Sequence, residues 1–119
     1  MSFKGFRGGS GGGGGSSNHL FNVTSISFSD SPYTWTPSSS QNDLLSVDTS
    51  GGAITVDLPS PSGVTGHVFR VKDSSGDSLS NNITVRCQTG LIDNSSTTNV
   101  QNNFAAIILI SDGTKYLIQ

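Results

Sequence analysis

Helix formers are almost missing from this chain. It has no glutamate, and its only alanines are Ala53, Ala105 and Ala106. Ser, Thr, Asn and Gly supply 57 of the 119 residues. These residues favour strands, turns and caps over helix interiors, because their short polar side chains compete for backbone hydrogen bonds or, for glycine, leave the backbone too free. A helical bundle, a coiled coil and most α/β enzyme folds are therefore excluded. Leu, Ile, Val and Phe number 30, a quarter of the chain and above the roughly 20% below which chains stay disordered. The chain is expected to fold as an all-β domain with a thin core.

Two segments differ sharply. Residues 1–17 hold eight of the fifteen glycines, with Lys4 and Arg7 as their only charges. Such Gly/Ser runs bury no apolar area and behave as flexible coils. The bland reading is a disordered tail. The sharper one is an adhesive arm, in which Phe3 and Phe6 anchor, Lys4 and Arg7 supply charge, and the glycines span the gap. Residues 18–119 form the body.

In the body, short strand signals alternate with turn signals. Strands are predicted at Leu20–Phe28, Tyr33–Thr36, Leu44–Val47, Ala53–Leu58, His67–Lys72, Asn82–Gln88, Phe104–Ile110 and Lys115–Ile118. Strict alternation points Ile54, Val56 and Leu58 inward, and likewise Ile83, Val85 and Cys87. Turns are expected at Ser50-Gly51-Gly52, at Asp73-Ser74-Ser75-Gly76-Asp77, and at Asp112-Gly113 as a hairpin. The predicted architecture is a small antiparallel β-sandwich or barrel with a flexible Gly-rich N-terminal arm. Phe104–Ile110 does not alternate, so both its faces call for burial. A central place in a sandwich meets that need. So does a subunit interface where Phe104, Ala105, Ala106 and Ile108 meet a second copy, the alanines allowing close approach.

The net charge of −2 and scattered basic residues make nucleic acid an unexpected partner. No apolar run approaches the roughly 18 residues that span a bilayer, and no secretory signal is recognised, so synthesis in a cytoplasm without membrane insertion is expected. The single Cys87 cannot form an internal disulfide and reads as a small core residue. His19 and His67 lie far apart with no cluster of acids nearby in sequence, so no metal set is expected; His67, at a strand start, reads as a surface or edge residue. The Asp73–Asp77 segment departs from the calcium-loop spacing and reads as a plain turn. No nucleophile–base pair or catalytic motif is found, so neither enzyme activity nor a cofactor is expected. Tyr33 and Trp35, flanked by Pro32 and Pro37, suit core or interface packing; the alternative is a platform that stacks on host glycans.

The ordered series Ser50-Gly51-Gly52-Ala53-Ile54-Thr55-Val56-Asp57-Leu58-Pro59, Gly66-His67-Val68-Phe69-Arg70-Val71-Lys72-Asp73, Asn82-Ile83-Thr84-Val85 and the closing hairpin through Ser111-Asp112-Gly113 resembles small decoration and tail-fibre-like domains of tailed bacteriophages. The resemblance covers residues 45–119. It implies a non-enzymatic virion protein, commonly homotrimeric, whose partners are its own copies and the major capsid or another virion protein. The chain opens at Met1 with no fibre shaft, which favours a capsid decoration (cement or head-knob) protein held by its arm. A receptor-binding knob or short tail fibre holding host glycans through Tyr33 and Trp35 is the alternative.

Overall fold

The computed structural model describes residues 20–119. Its first six strands alternate between two sheets. β1 (Asn22–Ile26), β3 (Asn42–Val47) and β5 (Val68–Asp73) lie side by side in one sheet, all parallel. β2 (Tyr33–Thr34), β4 (Ile54–Asp57) and β6 (Ile83–Arg86) do the same in the other. The chain thus winds as a flattened coil, each turn laying one strand on either sheet. Three antiparallel strands close it. β7 (Thr97–Val100) folds back on β6, β8 (Ala106–Ser111) returns to β5, and β9 (Tyr116–Ile118) pairs with β8. The sheets run β1-β3-β5-β8-β9 and β2-β4-β6-β7.

Every strand expected from the sequence is present, with β7 in addition. Thr97-Thr98-Asn99-Val100 has a single apolar residue and so gave no alternation signal. The antiparallel expectation is corrected: both sheets are mixed, and neither closes on itself, so the body is not a barrel. Side-chain alternation is the same for parallel and antiparallel strands; what decides is where each turn delivers the chain. Ser50-Gly51-Gly52 carries β3 across to β4 in the opposite sheet instead of back alongside β3. The crossing is tight because Phe28, in the corner above, lies on it: a Cβ on Gly52, whose φ is +152°, would sit 2.8 Å from the Phe28 ring. Parallel strands need a long return connection, and here a strand of the opposite sheet supplies it.

The core fills the space between the sheets. Ile54 and Ile83 stand opposite one another in register, as do Val56 and Val85; with Cys87 they are buried against Leu45, Val71 and Leu109 of the larger sheet. Leu58 is also buried, as expected. Phe69 organises one end. The Trp35 ring meets it edge-on at 4.9 Å, and the Tyr116 ring at 5.7 Å. Tyr116 donates its hydroxyl to the Pro59 carbonyl at 2.7 Å. Asp112-Gly113 forms the expected β8–β9 hairpin, with the Asp112 carboxylate accepting from the Thr114 and Lys115 amides. In β8, Ile107 and Leu109 face the core while Ile108 and Ile110 lie half-buried on the outer side.

Candidate functional site

Inward-facing positions at both ends of the larger sheet carry polar groups, and each is answered by a specific set of partners. At the end of β5, Asp73 is fully buried. One carboxylate oxygen accepts from the Thr49 hydroxyl at 2.8 Å and the Gly76 amide at 3.0 Å. The other accepts from the Phe104 amide at 2.9 Å and the Ser78 amide at 3.1 Å. Burial alone would raise its pKa, but these donors together hold it far below the usual carboxylate range. Asp73 therefore ties three corners together: residues 48–53, 74–82 and 101–105. This is the turn chemistry the sequence suggested, extended to two further loops. Phe104 covers it at φ +62°, with its ring against Gly76, where a Cβ would lie 2.3 Å from the Phe104 ring. Lys72 sits over that ring at 5.6 Å and donates to the Phe104 carbonyl.

At the opposite end, Asp43 of β3 and His67, just before β5, form a buried pair with Nε2 and Oδ2 2.6 Å apart. Asp43 also accepts from the Ser38 amide at 3.0 Å and the Asn22 side-chain amide at 3.1 Å. Burial opposes the charged form, and the bonds from Ser38, His67 and Asn22 outweigh it, so its pKa is lowered. An ionised carboxylate only accepts, so Nε2 carries the proton of this bond. The imidazole stacks on Phe69 at 4.4 Å with 17° between planes. The expectation of a surface or edge histidine is thus corrected: His67 is 4% exposed. The signal was in the alternation, since His67, Phe69, Val71 and Asp73 share one face of a strand, as do Asp43, Leu45 and Val47. Beside His67 opens a shallow pocket of about 320 Å³, lined also by Pro37, Ser38, Ser39, Gln41, Gly63, Val64 and Thr65. Among the described residues no serine hydroxyl bonds to His67, and no group of three or more His, Cys, Asp or Glu is placed to hold a metal.

The two outer faces differ in kind. On the smaller sheet, cross-strand rows read Thr34, Asp57, Arg86, Thr97 and Thr55, Thr84, Asn99. Arg86 Nε lies 2.6 Å from the Asp57 carboxylate, whose pKa the guanidinium lowers. That face is built for water. On the larger sheet one row reads Val23, Leu44, Arg70, Ile108, the next Asn42, Val68, Ile110, Leu117, and a third Ser25, Ser46, Lys72, Ala106. Six of the first eight are apolar, Val23 59% exposed and the other five half-buried, while the third row is mostly polar.

The residues singled out in the sequence fall differently. Phe104 (59% exposed), Ala106 and Ile108 reach the outside. Ala105 does not, because it packs against the core. Trp35 is 2% exposed with its ring edge-on to Phe69, so it packs in the core and has no free face for a sugar, whereas Tyr33 packs against the core half-buried. Phe3, Lys4, Phe6 and Arg7 lie outside the described residues. No family model matches the chain, and no curated protein matches it significantly.

Proposed function

We propose that this chain is a non-enzymatic virion structural protein, a homotrimeric decoration protein that studs a phage capsid and is anchored by residues 1–17. The observation that carries the reading is the apolar outer face of the five-stranded sheet. A sandwich standing alone in water covers both outer faces with polar groups, as the Thr-rich sheet does. A contiguous, part-exposed cluster of Val, Leu and Ile on the outer side of a folded sheet is the kind of patch that suits a contact surface.

The size of the face says what it can do. Five strands spaced ~4.8 Å apart, each about 18 Å long, present on the order of 350 Å². A standard interface buries about 800 Å² per partner. The face alone supports a weak contact; Leu20, Phe21 and Phe104, exposed at its margins, enlarge it. Multiple copies, each tethered by its arm, convert weak contacts into firm attachment by raising effective concentration. Binding that occurs only in the folded, assembled state then stabilises the shell by mass action. The supporting experiment is cosedimentation with the capsids the protein is proposed to stud. The full chain is expected to sediment with them, and a chain lacking residues 1–17 to remain folded but stay in solution. Failure of the full chain to sediment, or undiminished attachment of the shortened one, contradicts the reading.

A further inference from the structure

We propose that the pocket beside His67 is a binding site for a neutral polyhydroxylated ligand, a single sugar ring. The inference does not depend on the capsid reading; it rests on what lines the pocket. Two loops build it, residues 37–41 entering β3 and residues 63–67 entering β5. At about 320 Å³ it lies at the low end of the range for small-ligand sites, roughly 300–1,000 Å³, so it takes one ring and not a chain buried end to end.

The chemistry of the lining selects the ligand. No lysine, arginine, aspartate or glutamate lines the pocket, so neither a phosphate nor an ammonium group finds a counter-charge. The polar groups present are neutral, of mixed donor and acceptor character, and unspent. Among the described residues, the Ser39 hydroxyl, the Gln41 side-chain amide and the Thr65 hydroxyl make no hydrogen bond, whereas the Ser38 and Ser40 hydroxyls bond one another and Ser40 also bonds the Asn42 carbonyl. Pro37 and Val64 add apolar surface of the kind that receives the C–H face of a sugar. His67 supplies direction. Its ring is nine-tenths buried, clamped by Asp43 on Nε2 and by Phe69 on its face. Nε2 is occupied, and Nδ1 has no hydrogen-bond partner among the described residues. In the neutral ring that leaves a fixed acceptor for a ligand hydroxyl.

The loops are also held before any ligand arrives. The Gln41 carbonyl accepts from the Val68 amide at 3.0 Å, and the Val64 carbonyl from the His67 amide at 2.9 Å. Gln41 keeps a left-handed φ of 65°, a conformation that non-glycine residues adopt mainly where the surroundings impose it, often at binding sites. A pre-set site loses less entropy on binding.

Replacing His67 would strand the Asp43 carboxylate, so the pocket is better blocked at Gly63. A Cβ there meets nothing within 4 Å, and Gly63 is not left-handed, so Gly63→Leu adds a bulky side chain to the pocket's lining at little cost to the fold. The experiment titrates the ¹⁵N-labelled full chain with methyl glycosides of glucose, galactose, mannose and N-acetylglucosamine, and separately with inorganic phosphate, following amide shifts. The expected result is saturable shifts confined to residues 38–41 and 63–67 with at least one glycoside, weakened about tenfold or more in Gly63→Leu, whose unfolding midpoint stays at the parent value. Four results each overturn the proposal: no shift with any of the glycosides, shifts centred elsewhere, shifts with phosphate alone, or binding undiminished in Gly63→Leu.

Discussion

Replacing Asp73 by asparagine keeps the shape of the side chain and removes its charge, which isolates what the carboxylate does. Two donors converge on each of its oxygens, at 2.8 to 3.1 Å. Asparagine retains one acceptor oxygen and turns its amide group toward the other pair of donors. Two buried donors then lose their acceptor at about 1–3 kcal/mol each, and the surviving pair loses charge assistance. A net loss of about 3–5 kcal/mol follows, against a total stability of about 5–15 kcal/mol for a domain of this kind. The assay is urea unfolding followed by the fluorescence of Trp35, the only tryptophan and buried in the core. The midpoint should drop with little change in slope. Asp48→Asn serves as control: that carboxylate is exposed and bonds locally to Ser50, so its loss should cost less than about 0.5 kcal/mol. If Asp73→Asn stays within that same margin of the parent, the three corners hold themselves, and the hub assigned to Asp73 is wrong.

Acid should weaken the fold in a defined window. Asp43, Asp57 and Asp73 all have folded pKa values below their unfolded ones, so their contribution is complete above the unfolded value of about 3.9 and is lost as pH falls from there toward the folded values; urea midpoints at stepped pH should be flat above about pH 5 and decline below about pH 4. Trp35→Ala should cost about 3–5 kcal/mol through lost packing on Phe69, measured by thermal unfolding; a variant as stable as the parent would contradict its core position. Gly76→Ala places a methyl group into the Phe104 ring at φ +87° and should destabilise by more than about 1 kcal/mol, whereas Gly63→Ala should change stability by less than about 0.5 kcal/mol.

The strands were legible because each carries its own period: Ile54-Thr55-Val56-Asp57-Leu58 announces a half-buried strand whatever its neighbour. Their partners were not, because parallel and antiparallel neighbours demand the same alternation. Which way a corner delivers the chain depends on contacts such as Phe28 on Gly52, between residues far apart in sequence. β7 was hidden for the opposite reason. Its pairing to β6 rests on backbone bonds, and Thr97, Thr98 and Asn99 add no apolar signal. The Asp43–His67 pair follows from alternation only once both strands are known to lie in one sheet with Phe69 between Asp43 and Leu109. The outer face was half visible. Phe104–Ile110 showed its surplus of apolar residues, but Val23, Leu44, Val68 and Leu117 join it only through the register.

In the proposed homotrimer, copies of this chain would meet through the outer face of the five-stranded sheet. Native mass spectrometry of the full chain beside Ile108→Lys tests it most directly. The substitution sits on a half-buried outer position, so the long stem of lysine lies along the sheet while its charge reaches water and the monomer stays folded. A trimer for the parent and a monomer for the variant is the predicted result. A parent that remains monomeric throughout, or a trimer that survives the lysine, contradicts it.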